Sequence, residues 1–209
     1  MAVAPSLDLL SASEMLALRS HIAPEDVWSL RTVAGRFVAV EASKTSGSGV
    51  LTLIASLIRD AQANDGLVAW VGTSKSIFHP PDFDAAGVDV AALPIVRAPD
   101  IDKAARAADT LMRCGSFALI VMDWHAQALP LAQQTRLAGL AHQFHTGLVC
   151  IRAAGDARMR GSLVSLRCVT GKKRMGHNCF SCGLRAVKDK RSFAGWGHTE
   201  MHVGVDGLC

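Results

Sequence analysis

The stretch "RFVAVEASKTSGSGVLTLIASLIRDA", residues 36–61, decides the fold. Its first five residues are a short apolar run ending in a cluster of small polar residues, which predicts a buried strand and then a loop. Behind the loop Leu51, Ile54, Leu57, Ile58 and Ala61 recur at helical spacing and predict an amphipathic helix. A strand, a small-residue loop and a helix in direct succession form the first half of a parallel βαβ unit.

The loop has the layout of a phosphate cradle, G-x-x-x-x-G-K-[ST]. In that pattern glycines turn backbone N–H groups onto phosphate, the lysine neutralises the outer oxygens and the hydroxyl holds Mg²⁺. Setting Gly47 as the second glycine puts Ala42 where the first belongs, Ser48 in place of the lysine and Gly49 in place of the hydroxyl residue. Three of the four signature positions have changed. A hydrogen bond to a charged group contributes about 1.5–3 kcal/mol, so loss of the lysine alone weakens triphosphate binding by roughly one to two orders of magnitude. Lys44, earlier in the loop, is the only cation left within it and would need a different wrap to reach a phosphate.

Outward from the loop the same rhythm repeats. Residues 65–72, 92–99, 117–123 and 146–151 read as strands, and 100–114 and 131–144 as helices. "FALIVMD" is a continuous apolar run of the kind buried on both faces of a parallel sheet, ending at Asp123, where a metal-side aspartate would sit. Residues 1–35 read as an N-terminal helical arm, with Ser11 and Glu14 at capping-box spacing. After residue 154 the pattern changes to a β-meander over 160–209, with a turn expected around Lys172, Lys173 and Arg174. The expectation is an α/β domain with a mostly parallel central sheet flanked by helices, the meander added at its edge.

The chain has 209 residues, half of them hydrophobic, enough for one domain with a substantial core. The six cysteines (114, 150, 168, 179, 182 and 209) have no metal-type spacing and are expected to be reduced thiols. Cys179 and Cys182 fall on opposite faces of a strand. No apolar run reaches the length of a membrane span and no leader pattern opens the sequence, so a cytoplasmic protein is expected. Charge is divided unevenly: residues 1–151 carry 11 Lys/Arg against 14 Asp/Glu, and residues 152–209 carry 11 against 4. Arg152, Arg158, Arg160, Lys172, Lys173 and Arg174 form a candidate basic patch for nucleic acid or an acidic protein surface.

Taken in order, four segments resemble the bacterial RecA recombinases, and more closely the small RecA-like ImuA family of mutagenesis cassettes. They are "VAVEASKTSGSGVLTL", "LVAWVGTSKSIFHPPDFDAAGVDVAAL", "CGSFALIVMDW" and "LRAVKDKRSFAGWGHTEMHVGVDGL". The resemblance implies a RecA-like core, with Asp123 as the Walker B-like residue. It also implies that Ser74 stands near the position where RecA-like ATPases hold the glutamate that polarises the attacking water. Lysine, magnesium hydroxyl and base are then all missing, so no catalysis and no bound cofactor or metal are expected.

In RecA filaments a lysine pair of the late hairpin reaches the nucleotide of the adjacent subunit. Lys188 and Lys190 match that pair, with Arg191 following. The partners implied are RecA, an ImuB-type polymerase-like protein and an error-prone DNA polymerase, with single-stranded DNA as a further candidate. Two other readings stand beside this one: an atypical DNA-stimulated ATPase using Lys44, and a single-stranded DNA-binding adaptor of the polymerase complex.

Overall fold

The computed structural model describes residues 28–44, 47–123, 129–153 and 163–203, and within them eight strands form one sheet in the order β3-β2-β4-β5-β1-β6-β7-β8. The strands are β1 (Phe37–Ala42), β2 (Leu67–Thr73), β3 (Ile95–Ala98), β4 (Phe117–Asp123), β5 (Gly147–Arg152), β6 (Leu166–Gly176), β7 (Cys179–Asp189) and β8 (Gly197–Val203). Every pairing among β1 to β6 is parallel, whereas β7 and β8 are added antiparallel. The described helices are α1 (Leu30–Val33), α2 (Val50–Ala63), α3 (Pro80–Ala85), α4 (Ile101–Arg113) and α5 (Leu131–Gln143). The expected α/β architecture, a mostly parallel sheet flanked by helices, is the one the chain forms.

Alternation along each central strand feeds two cores. Val38 and Val40 of β1 and Leu119 and Val121 of β4 pack with Leu53, Ile54, Leu57 and Ile58 of α2 on one face. Phe37, Ala39, Ile120 and Met122 pack on the other face with Ala104 and Ala108 of α4 and Leu137 of α5. This two-sided burial is why β4 reads as an unbroken apolar run. Asp100 starts α4 by accepting the Lys103 backbone N–H at 2.8 Å, and Asp65 ends the α2 connection in the left-handed region at φ 57.

One expectation needs correction. Lys172, Lys173 and Arg174 do not make a turn; β6 runs through them to Gly176, pairing them with Cys182, Ser181 and Phe180 of β7. The turn falls at His177 and Asn178, where Asn178 sits at φ 54, a conformation that asparagine tolerates better than other side-chain-bearing residues. The short helices α1 and α3 have too few residues to show a periodicity; α3 is marked instead by proline in its first turn. Most of the expected N-terminal arm, with Ser11 and Glu14, lies outside the described residues, as do Arg158 and Arg160. No described helix is long and apolar enough to cross a membrane.

Candidate functional site

The loop between β1 and α2 lies at the carboxyl end of the parallel strands, the end where open α/β sheets bind ligands. Its backbone is tied to β6. The Ser43 N–H donates to the Thr170 carbonyl at 2.7 Å, and the Lys172 N–H donates to the Gly47 carbonyl at 2.8 Å, closing an isolated bridge between Gly47 and Lys172. The peptide carbonyl at the second glycine of the pattern thus faces a strand. Gly49, the N-cap of α2, comes so close to β6 that a Cβ there would stand 3.0 Å from the Gly171 carbonyl oxygen and 3.4 Å from the Cys182 Cβ. Its φ of −103 is ordinary, so the glycine is required by crowding and not by backbone conformation. A threonine or serine at this position, as metal binding requires, would press on the β6 backbone. Lys44 and Ser48 are exposed, and the Ser48 Oγ accepts the Val50 N–H at 3.4 Å. Beside the loop Lys172 lies over the Phe180 ring, its Nζ 4.1 Å from the ring centre.

Asp123 ends β4 fully buried. Its Oδ2 accepts the Ser76 hydroxyl and the Ile77 N–H, both at 2.7 Å. The same Ser76 Oγ receives the Trp70 indole N–H at 3.1 Å, and Trp70 packs on Phe78 and Phe83 at centroid distances of 4.9 and 5.3 Å. Gly72 permits this arrangement, because a Cβ there would lie 2.6 Å from the Ser76 Cβ. The aspartate therefore anchors the segment after β2, where Ser74 is exposed. Sequence reasoning marked Asp123 and Ser74 but missed Ser76; the signal was Gly72 four residues before a serine, next to a buried tryptophan.

On the face of the sheet away from α2, a second set of charged groups gathers. Arg167 of β6 sits opposite Lys188 of β7 and pairs with the buried Glu41 at the end of β1 through its Nε, 3.0 Å away, and its second guanidinium nitrogen. Burial, then the nearby charges of Lys190 and Arg167, hold the Lys188 ammonium below the usual lysine range. Among the described residues Lys188, Lys190 and Arg167 thus gather at one corner, with Glu41 as the carboxylate paired to Arg167.

The residue between the two lysines has a different role. Asp189 receives Arg36 at 2.5 Å, the Trp196 indole N–H at 2.9 Å and the Arg191 backbone N–H at 2.8 Å. Burial alone would raise its carboxyl; the bonds from Arg36 and Trp196 outweigh that and hold it below the ordinary aspartate range. The Arg191 guanidinium turns back onto the Ala34 and Gly35 carbonyls at 2.9 and 3.2 Å. Of the proposed hairpin triad, Lys188 and Lys190 lie on the cationic corner and Arg191 braces the turn before β1. Arg152 is buried at the end of β5 and so is withdrawn from the surface patch. Lys173 and Arg174 remain on β6, near the far end of the meander.

No family model matches this chain. It is 37% identical over 110 residues to a "Protein RecA" of Leifsonia xyli, covering 52% of this chain and 29% of that protein. It is 35% identical over 115 residues to "Protein RecA" of Clavibacter michiganensis, covering 54% and 30%, and 34% identical over 100 residues to that of Fusobacterium nucleatum, covering 47% and 25%. The matched region spans less than a third of the length of these relatives. Together with the α/β sheet and its loop at the carboxyl edge, this partial identity supports a RecA-like relationship.

Proposed function

We propose that this RecA-like chain is a catalytically inactive accessory protein of SOS-induced translesion synthesis, of the ImuA type. In this reading it binds RecA filaments and limits recombination while an ImuB-type polymerase-like protein and an error-prone polymerase carry out bypass. The observation that carries it is a contrast. The phosphate loop has Ser48 and Gly49 where the pattern's lysine and hydroxyl belong and is bridged to β6, while Lys188 and Lys190 stand beside Arg167 on a cationic corner. A subunit able to present cations to a neighbour's nucleotide, but unable to hold one of its own, ends a filament instead of extending it.

Asp123 supports the inactive reading. In a magnesium site its carboxylate would face the metal and its waters; here Oδ2 holds Ser76 and Ile77. Use of Lys44 as a substitute lysine draws no support from the loop, because the carbonyl three residues later is bonded to β6.

The test is RecA's single-strand-dependent ATP hydrolysis, with this protein titrated well below one per RecA. Inhibition at such ratios, lost on Lys188→Glu with Lys190→Glu, is the expected result. No inhibition at any ratio would refute RecA antagonism. Retention of single-stranded DNA by this protein alone, with affinity falling steeply in salt, would favour the adaptor reading instead.

A further inference from the structure

The two edges of the sheet are built differently. β3 at one edge has four residues, carries Arg97 and lies between Pro94 and Pro99. Short length, a positive charge and flanking prolines are the usual devices that prevent an edge from pairing with another strand. At the other edge β8, "GHTEMHV", has seven residues and contains no lysine, arginine or proline. Among the described residues it pairs only with β7.

β8 is tied to α2 from its inner face. Glu200 accepts the Ser56 hydroxyl of α2 at 2.8 Å and has the Nε2 atoms of His198 and His202 at 2.8 and 3.0 Å, one against each carboxylate oxygen. The alternate residues Thr199, Met201 and Val203 are exposed, Met201 at 58% and Val203 at 79%. The hydrogen-bond phase of the ladder is also fixed. The Ala186 N–H donates to the Trp196 carbonyl, so by alternation His198, Glu200 and His202 exchange bonds with β7, and Thr199, Met201 and Val203 direct their N–H and C=O groups outward.

We infer that β8 is a homodimer edge, pairing antiparallel with β8 of a second copy about a two-fold axis at Met201. In that register Thr199 faces the second copy's Val203 and Met201 faces the second copy's Met201. All three pairs are in the hydrogen-bonding phase and supply about six N–H···O=C bonds. Glu200 then falls opposite the second copy's His202, and His202 opposite its Glu200, so a carboxylate meets an imidazole on each side of the axis. An axis at Glu200 would place two carboxylates face to face in the non-bonded phase. An axis at Thr199 would set Val203 against Gly195, which lies outside the strand at φ 100. Of these three axes the one at Met201 is self-complementary, with its pairs inside the strand and no two carboxylates face to face, and an isologous interface of this kind closes at two copies.

The test is sedimentation of the full chain at micromolar concentration, with two kinds of variant. The parent is expected to sediment as a dimer with a concentration-dependent melting temperature, and Met201→Lys with Val203→Lys as a folded monomer whose melting temperature no longer depends on concentration, since both side chains are exposed within one copy. Under mild oxidation Met201→Cys is expected to give a reducible dimer beyond the parent's background, because facing Cα atoms lie about 5.5 Å apart. Thr199→Cys should give none, as its counterparts lie about 14 Å apart along the strand. A parent that is monomeric throughout, or a dimer that survives the lysine variant, would overturn the proposal. Cross-linking through Thr199→Cys and not Met201→Cys would overturn the register.

Discussion

Replacing Asp189 by alanine should destabilise the protein by about 3 kcal/mol, near the lower end of the roughly 3–5 kcal/mol associated with breaking a buried ion pair from one side. Its side chain and that of Arg36 are 2% and 3% exposed, so neither is screened by solvent. Removing the carboxylate leaves a buried guanidinium without its anion. Arg36 keeps its bond to the Ser165 carbonyl at 2.9 Å, which is why the lower end applies. The Trp196 indole and the Arg191 and Ser192 N–H groups lose their acceptor as well. For a chain of this size one kcal/mol moves the melting temperature by about 2–4 °C, so the expected drop is about 6–12 °C.

The pH dependence of this contribution has a definite sign. The folded-state pKa of Asp189 lies below its unfolded value, so its stabilisation is fully present above the unfolded pKa and is lost as pH falls through the folded one. The melting difference between parent and Asp189→Asn should therefore be constant from about pH 5 to 7 and shrink below about pH 4. Thermal melts across pH measure both quantities. A drop under about 2 °C, or a difference that grows in acid, would refute the buried-pair account and with it the claim that Asp189 fixes the backbone carrying Lys188 and Lys190.

Rebuilding the phosphate loop as Ser48→Lys with Gly49→Thr should not restore ATP turnover and should cost about 1–3 kcal/mol, because the new Cβ presses on the Gly171 carbonyl. A coupled ATPase assay and a melt decide it, and turnover would overturn the structural explanation. Asp123→Asn should lower stability by about 1.5–3 kcal/mol through the Ser76 and Ile77 bonds, with no change in the response of the melt to Mg-ATP. A stabilising Mg-ATP response lost in this variant would instead mean that the aspartate serves a metal. Lys190→Gln should raise the titration range of Lys188, followed by NMR of its side-chain amine, because a like charge depressing it has been removed. An unchanged titration would show the two ammonium groups to be farther apart than the structure places them.

The order of strands and helices was legible because each element carries its own period. β4 is apolar up to its final Asp123 since both its faces are covered, and α2 announces itself through Leu51, Ile54, Leu57, Ile58 and Ala61, of which all but Leu51 are buried. Gly47, Ser48 and Gly49 were equally legible as departures from a pattern. The meander turn was misread because a Gly-Lys-Lys-Arg run looks like a turn by composition, whereas the turn is made by the left-handed backbone of Asn178. Long-range polar contacts leave no periodic trace. Neither the reach of Ser76 across 47 residues to Asp123 nor that of Arg36 across 153 to Asp189 could be read from local spacing.

These two hidden contacts explain more of the chemistry than the visible motif does. Each recruits a carboxylate from a position that resemblance associates with catalysis or assembly, and ties it inside the protein. Asp123 is turned onto the segment after β2, and Asp189 onto Arg36 at the start of β1. The neighbours of Asp189 respond in opposite ways: Arg191 folds back onto Ala34 and Gly35, while Lys188 and Lys190 stay with Arg167 on one corner of the sheet. Burial depresses the Lys188 ammonium first and the charges of Lys190 and Arg167 add to it, so the corner is one where cations are held against both desolvation and mutual repulsion.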